Sequence, residues 1–365
     1  MTDVGVLRLH LLHDNRSIVG IKVKSTRPQV CQLLKGKTPE SVVQLVPALF
    51  SLCGRAQGAA AEAVVAAACS TDLTGKLTLE RAVACEAIQE HCWRLLLDWP
   101  KALGLAQLQV DFVRWHAMLR GIAGGQGNLN ALKHEVESLW LGMPIVDWLE
   151  MENFSDLQQW WKTSNSSAAS LFATLDVLDV DSIYGLSEKL PDVPLLPDWS
   201  AIDALASCVG KLNTNFAANP TWNAVPAETG ALAYHATASM LRHTLQERPS
   251  RVLARVLAKV YDMLQMVNGN FTGRLDYASS QQGAGLAIVK TARGVLMHHV
   301  RITAGLVQDY LVVAPTEWNF HPTGTLAAGL IGRQGDTRQL AQAAERQVLS
   351  LDPCVGYELE VSSHA

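Results

Sequence analysis

The sequence predicts a predominantly helical α+β protein. Two alternating stretches near residue 10 indicate a β-hairpin, and four short apolar stretches between residues 271 and 313 indicate a small antiparallel sheet. Most of the chain between them has helical periodicity, and such segregated strands and helices are typical of the α+β class. We predict a single domain over residues 1–365, with the hairpin at 4–25, a helical body at 28–266, and the small sheet and a final helix at 271–365.

The composition indicates a globular protein without a nucleic-acid or membrane partner. Charged residues make up 18% and hydrophobic residues 48% of the 365 positions, and the net charge is -4. Such a charge gives no positive field to attract nucleic acid or anionic lipid. No basic, apolar leader is predicted, and the longest apolar run, Ala63–Cys69, is too short to cross a bilayer. We therefore expect a cytoplasmic protein.

The first half of the chain is predicted as the hairpin followed by helices. A turn at His13–Arg16 joins the two strands. Pro39 begins a helix that runs to a turn at Cys53, and the Ala-rich stretch 56–69 continues it. Helices then follow from Leu79 to Trp161. We expect breaks at Trp99-Pro100, Gly124-Gly125 and Met143-Pro144.

The second half is predicted to begin with a surface loop at 185–230 that includes a short helix at Ala201–Leu212. Two helices follow, at Leu232–Leu245 and Val252–Met266. The predicted strands are Phe271–Tyr277, Gly285–Lys290, Val295–Ile302 and Gly305–Val313. A last helix, Thr337–Leu349, leads to Cys354 and a short tail.

The seven cysteines form neither a disulfide framework nor a zinc site by spacing, because their number is odd and no CxxC occurs. Cys85 and Cys92 have the helical spacing of core residues. Cys53 and Cys354 differ, since each lies at a Gly or Pro turn where a helix meets a loop. We expect these two thiolates to meet in space and to hold one metal fragment.

An aromatic patch and three histidines leave two interpretations open. Trp140, Trp148, Trp160 and Trp161 are predicted to pack in the core, with a partner groove as the alternative. For His298, His299 and His321 we weigh a supporting role near the metal against packing or solvent exposure. The Trp-rich region 139–162 and the loops at 185–230 are candidate partner surfaces.

Six short motifs follow one another in a fixed order. They are Gly36-Lys37-Thr38-Pro39, Cys53-Gly54, Pro226–Ala233, Ala292-Arg293-Gly294 with His298, Ala314–Asn319 and Asp352-Pro353-Cys354. In this order and spacing they resemble G-R-D-P, R-x-C-G-x-C-x-x-x-H, P-M-E-V-G-P-L-A, A-P-R-G-x-x-x-H, V-P-[ST]-T-W-N and D-P-C-x-x-C-x-x-H of nickel–iron hydrogenase large subunits. The resemblance covers most of the chain and implies the fold of that family.

The departures from the family pattern concern the metal site. The second cysteine of each cysteine motif is replaced, by Ala56 and Tyr357, and the two motif histidines by Ala60 and Glu360. In the family, the missing cysteines bridge nickel and iron, whereas the two retained cysteines are terminal nickel ligands. Counting back from the G-R-D-P-like motif, the family's proton-relay glutamate falls on Cys31.

By resemblance, the iron side of the pocket is retained. Arg293 and Thr316 occupy positions whose guanidinium and hydroxyl hydrogen-bond cyanide ligands in the family, and Pro315 belongs to the same cofactor-binding set. Soft thiolates suit low-valent iron, so Cys53 and Cys354 could hold one iron. Cys31 is a third ligand, a transfer thiol or a core cysteine. For Arg293 a structural salt bridge, and for Thr316 a strand end, remain alternatives.

This combination resembles the HupK/HoxV group of hydrogenase maturation proteins. The resemblance implies a non-catalytic scaffold that carries an Fe(CN)2(CO) fragment without nickel. Its partners would be the maturation proteins that build and deliver the fragment and the precursor of the hydrogenase large subunit. Two other classes stay open: a metal-free chaperone that mimics the large subunit, and a hydrogenase-like enzyme with a single iron site.

Overall fold

The protein is described by a computed structural model that covers residues 5–14, 16–27, 30–50, 53–181, 193–208, 212–248, 250–281 and 283–363. Helices dominate these ranges and surround two separate sheets. The strands are β1 (Val6–His13), β2 (Ile18–Ser25), β3 (Leu275–Gln281), β4 (Ala284–Thr291), β5 (Gly294–Thr303), β6 (Leu306–Val313) and β7 (Gly356–Ser363). None of the helices in these ranges is long and apolar enough to cross a membrane.

The helices of the first half follow a short 3-10 turn at Val30–Leu34, and two of them continue into π-helical segments at Arg94–Asp98 and Val136–Leu141. They are α1 (Pro39–Leu49), α2 (Gly54–Cys69), α3 (Lys76–Trp93), α4 (Trp99–Ala102), α5 (Gln109–Ala123), α6 (Leu129–Glu135), α7 (Ile145–Leu149), α8 (Phe154–Thr163) and α9 (Ser167–Asp181).

The helices of the second half lie before and after the four strands of the larger sheet. They are α10 (Ala201–Cys208), α11 (Thr214–Ala218), α12 (Ala231–Tyr234), α13 (Ser239–Glu247), α14 (Arg251–Val267), α15 (Pro315–Asn319), α16 (Thr325–Leu330) and α17 (Thr337–Leu351). Parts of the predicted loop at 185–230 and of the predicted helix at Ala201–Leu212 lie outside the described residues.

The predicted α+β class, hairpin and antiparallel sheet are confirmed. β1 pairs with β2 in antiparallel register, and β3, β4, β5 and β6 form an antiparallel meander in that order. The first of these strands begins at Leu275 rather than at Phe271. That the whole of 1–365 is a single domain stays a prediction.

The residues after Cys354 correct the predicted tail. Gly356–Ser363 form β7, which pairs with β1 in parallel from Val6–Gly356 to His13–Ser363. Leu359 and Val361 alternate with Glu358 and Glu360 and pack against the cluster under the smaller sheet. Because β7 begins at Gly356, its pairing with β1 fixes the position of Cys354, two residues before the strand.

Two predicted helix boundaries are also wrong. Trp99-Pro100 does not break the chain's helical path, because the preceding π-helical turn bonds Trp99 N–H to Arg94 O and accommodates the proline. The helical path ends instead near Gly104, whose backbone has a positive φ of 71°. The predicted helix Leu232–Leu245 is interrupted after Tyr234, whose hydroxyl donates to Thr291 O. The predicted breaks at Gly124 and Pro144 are confirmed.

The aromatic patch lies in the helical core. Trp140, Trp148, Trp160 and Trp161 are at most 7% exposed and share one apolar cluster with Cys85 and Cys92. The core interpretation is therefore confirmed, and these four rings form no open partner groove.

A close approach between α2 and the larger sheet positions the first cysteine motif. A Cβ at Gly285, on β4, would lie 2.6 Å from the carbonyl oxygen of Val64 on α2. Only glycine allows the backbones to come this near. The N-terminus of α2, where Cys53 lies, is thereby held over β4 and β5.

Candidate metal centre

Cys53 and Cys354, about three hundred positions apart, line one cavity. Cys53 is the residue that precedes the first turn of α2, and Cys354 follows the C-terminal end of α17. The cavity has an empty volume of about 440 Å³, and its wall also contains Arg293 and Pro315. Four of the six predicted site residues thus line one cavity.

Cys53 is a partly buried thiol with Gln57 and Glu86 beside it. Burial, followed by the nearby Cys354 and Glu86, raises the pKa of the Cys53 thiol to about 12. Glu86 accepts hydrogen bonds from the backbone N–H groups of Arg55 and Ala56 at 2.8 and 3.1 Å. These two N–H groups lie in the first turn of α2 and have no acceptor within the helix. Burial outweighs these donors and raises the pKa of Glu86 to about 7.

A buried hydrogen-bond chain orients a donor toward Cys53. Gln57 Nε2 donates to the Cys53 sulfur at 3.5 Å, and Gln57 Oε1 accepts from His298 Nε2 at 2.8 Å. Because an amide oxygen can only accept, His298 Nδ1 accepts in turn from the Tyr310 hydroxyl at 2.7 Å. Burial lowers the pKa of His298 to about 3, so the ring is neutral. His298 therefore supports Cys53 through Gln57, a residue that no motif marks.

The turn that presents Cys354 is held by an ion cluster around Asp352. This residue has a left-handed backbone, φ 59°. Its carboxylate accepts from Arg94 Nε at 2.7 Å, Lys259 Nζ at 3.0 Å and Arg293 Nε at 3.2 Å. Burial opposes its ionisation, but these three cations outweigh burial and hold the pKa of Asp352 well below its usual range.

Arg293 takes part in two ion pairs. Its Nη2 donates to Glu90 at 2.5 Å and its Nε donates to Asp352. Burial disfavours the charge, but the two carboxylates raise the pKa of Arg293. Among the described residues, the third nitrogen, Nη1, has no acceptor. Arg293 thus serves as a structural ion pair and still lines the cavity.

Thr316 has a partner that the sequence did not predict. Its hydroxyl lies 2.8 Å from the Cys354 sulfur and accepts the Cys354 backbone N–H at 3.0 Å. One hydroxyl proton cannot serve both this sulfur and a cyanide ligand at once. Pro315, the first residue of α15, lines the cavity directly.

The motifs at Pro226–Ala233 and Ala314–Asn319 pack against the segment that contains Arg293. Asn319 accepts Thr229 N–H at 2.9 Å and donates to Arg293 O at 3.3 Å. Gly294 has φ 137°, and a Cβ there would lie 2.4 Å from Thr229 Cγ2. Through these contacts the three motifs fix one another's backbones.

Cys31 lies in a different cavity. That outer cavity has an empty volume of about 920 Å³ and is lined also by Gln32 and Tyr310. Burial raises the pKa of the Cys31 thiol to about 11. His321 bonds only locally, to Thr323, and His299 is half-buried on β5.

Like Gln57, Arg27 is a site residue that sequence reasoning missed. It lines both cavities, and its Nη1 lies 3.5 Å from Glu317 Oε1. No motif marks this arginine, because its neighbours come from β6, α15 and the two cysteine turns.

The donor set is too small for a bare metal ion. Across the described ranges, no group of three or more His, Cys, Asp or Glu side chains is arranged to hold one. Protein zinc and iron sites need three or four such ligands. Two thiols beside cationic groups instead suit a metal that arrives with ligands of its own.

Comparisons with known proteins agree with the motifs. The family profile described as nickel-dependent hydrogenase matches residues 204–357. The chain is 27% identical over 363 residues to the hydrogenase expression/formation protein HoxV of Cupriavidus necator, covering 93% of this chain and 92% of that protein. It is 28% identical over 359 residues to HupK of Azotobacter vinelandii, with 94% of both chains covered.

A solved structure agrees with the fold. The Ni-Fe-Se hydrogenase of D. vulgaris Hildenborough superposes with a TM-score of 0.58 at 14% identity, over 94% of this chain and 95% of that one. This similarity shows a hydrogenase large-subunit-like fold and nothing about chemistry.

Proposed function

We propose that this relative of the HoxV and HupK hydrogenase expression/formation proteins takes part in hydrogenase maturation as a carrier of an iron fragment. The fragment, Fe(CN)2(CO), would be held between Cys53 and Cys354 and passed to the precursor of a hydrogenase large subunit. The single observation that carries this proposal is the cavity that Cys53, Cys354 and Arg293 line together from distant parts of the chain.

The chemistry of the cavity supports a ligated iron rather than a dinuclear centre. Thiolates are soft ligands that suit low-valent iron. The two positions that would complete a four-thiolate site hold Ala56, which is fully buried, and Tyr357, which is 39% exposed on β7. With two protein ligands, the remaining positions of the iron stay with cyanide and carbonyl. Arg293 Nη1, which has no acceptor among the described residues, would be available to hydrogen-bond one cyanide.

The same arrangement favours transfer over catalysis. The Cys53 thiol, whose pKa is raised, would lose its proton when the metal binds and take one up when the metal leaves, so transfer is coupled to proton exchange. Two terminal thiolates are also displaced more easily than bridging ones. The position of the family's relay glutamate is occupied by Cys31, which lies in the outer cavity. The partners would be the proteins that build the fragment and the large-subunit precursor that accepts it.

Infrared spectroscopy tests this function. The protein is purified anaerobically from a hydrogenase-producing cell, and cyanide and carbonyl stretching bands are expected. Cys53→Ala and Cys354→Ala should each remove the bands. Cys69→Ala, an exposed cysteine at the end of α2, is the matched control and should keep them.

Each other outcome has a defined meaning. Bands that persist in both Cys53→Ala and Cys354→Ala would contradict the ligand assignment. Absence of bands from the wild-type protein would favour a metal-free chaperone. Hydrogen uptake by the purified protein with an artificial acceptor would favour an enzyme with a single iron site.

A further inference from the structure

The inner cavity and the outer cavity share part of their walls. Arg27 and Ala314 line both, whereas the cysteine pair lines only the inner cavity of about 440 Å³. Glu317 lines the outer cavity of about 920 Å³ and forms the ion pair with Arg27. The Arg27–Glu317 pair therefore lies at the boundary through which a small molecule in the outer cavity would reach the thiols.

Arg27 is less neutralised than the other arginine of the inner cavity. Arg293 is shared by Glu90 and Asp352, whereas the one carboxylate paired with Arg27 among the described residues is Glu317, at 3.5 Å. The side chains of this pair keep 18% and 20% of their surface exposed. Because both side chains still reach solvent, Arg27 can exchange Glu317 for another anion without leaving a charge fully buried and unpaired. Arg27 also interacts electrostatically with Cys354 and Cys53, so its charge acts on the thiols themselves.

We propose that Arg27 and Glu317 form a charge-selective gate that admits small anions from the outer cavity to Cys53 and Cys354. An incoming anion replaces Glu317 as the partner of Arg27 and is drawn toward the thiols by the same guanidinium. Neutral molecules of equal size gain nothing from this exchange. That the natural anion is a cyanide-bearing iron fragment rests on the proposed function, whereas the gate itself follows from the two cavities and their shared wall.

Competitive alkylation of the metal-free, full-length protein tests the gate. Iodoacetate is an anion and iodoacetamide is a neutral reagent of similar size, and both form a thioether with a cysteine thiolate and release iodide. Because both consume the same thiolate, the ratio of the two adducts at one cysteine is independent of its thiolate fraction. Mass spectrometry gives this ratio for Cys53 and Cys354, with the exposed Cys69 as the internal reference.

Two substitutions should move the ratio in opposite directions. Arg27→Met should lower the iodoacetate-to-iodoacetamide ratio at Cys53 and Cys354 several-fold, and Glu317→Gln should raise it. Arg27→Lys should keep most of the wild-type ratio. Arg8→Met, which removes an arginine from an exposed ion pair with Glu358, is the matched control and should change nothing.

The route through the outer cavity is tested separately. Ala218→Trp fills the mouth of the outer cavity and should slow both reagents at Cys53 and Cys354 but not at Cys69. An unchanged ratio in Arg27→Met, or unchanged rates in Ala218→Trp, would overturn the gate. These results do not depend on whether iron bands appear in the infrared spectrum, so a failure of the gate and a failure of the iron carrier are distinguishable.

Discussion

The hydroxyl oxygen of Thr316 lies 2.8 Å from the sulfur of Cys354 and accepts that residue's backbone N–H at 3.0 Å. One side chain on α15 thus hydrogen-bonds both the sulfur and the backbone N–H of Cys354. The thiol cannot turn away from the cavity without breaking this pair, so α15 sets the direction of the second thiol.

Replacing this hydroxyl tests its role. Thr316→Val keeps the shape of the side chain but leaves a buried N–H without an acceptor, which costs about 1–3 kcal/mol of unfolding free energy. Thr316→Ser keeps the hydroxyl and should restore most of that loss. Urea denaturation measures both, and a valine variant as stable as the wild type would show that the N–H finds another acceptor.

The ion cluster around Asp352 should be essential for stability. Asp352→Asn keeps a residue that tolerates the left-handed backbone but removes the charge that Lys259, Arg94 and Arg293 share. Breaking a buried ion cluster at one partner costs about 3–5 kcal/mol.

The matched control is an ion pair on the surface. Asp198→Asn removes a carboxylate that is 63% exposed and pairs with Lys290 at 2.7 Å. Its expected cost is below about 1 kcal/mol. Thermal unfolding of the two variants gives the comparison, and equal losses would mean that the cluster around Asp352 contributes no more than a surface pair.

Glu86 should make the stability of the protein depend on pH. Its pKa is about 7 in the folded protein, above the ordinary value of 4.5, so the folded state binds the proton more tightly than the unfolded state. The stabilisation of the folded state by the protonated Glu86 carboxyl is complete at pH values below 4.5, its ordinary pKa, and is lost as the pH rises through about 7. Between about pH 5 and about pH 8 the loss is on the order of 2–3 kcal/mol.

Glu86→Gln is the variant that isolates this effect. The amide oxygen still accepts the backbone N–H of Arg55 or Ala56 but cannot ionise. Chemical denaturation across this pH range should therefore give a flatter profile for the glutamine variant. Parallel profiles for the two proteins would assign the pH dependence to other groups.

Removing β7 should loosen the cavity from one side only. Deleting residues 356–365 takes the parallel partner from β1 and uncovers part of the apolar cluster under that sheet. Hydrogen exchange should become faster in β1 and around Cys354, while α2 and the larger sheet keep their protection. Glu358→Ala, in the exposed pair with Arg8, is the control and should leave exchange unchanged. Unaltered exchange after the deletion would show that α17 alone fixes the Cys354 turn.

Most of the fold could be predicted because its elements have regular periodicity. The four strands of the larger sheet are short apolar stretches, and helices α14 and α17 have long helical patterns. Both kinds of pattern can be recognised from the local sequence. β7 was missed because its alternation spans only four residues, Glu358 to Val361, and because its partner β1 is almost the whole chain away. Local sequence carries no signal for such a pairing.

The site was predicted where motifs fix it and missed where contacts between distant segments do. Cys53 and Cys354 belong to motifs. Arg27 and Gln57 belong to none, and their roles follow from neighbours such as Glu317 and His298 that only folding brings near. The double ion pair of Arg293 with Glu90 and Asp352 could be anticipated only as an alternative, since no spacing relates these residues.

The parallel pairing of β1 with β7 also sets an order of events during synthesis. Cys53 leaves the ribosome with α2 long before Cys354 has been made. β1 can pair with β2 at once, but its second partner, β7, is made about 350 residues later. Closing so long a loop is entropically costly and slow compared with forming local helices. An early-made thiol without its counterpart can bind a metal only weakly. Under the proposed function, an iron fragment would therefore be loaded only after the Cys354 turn has formed.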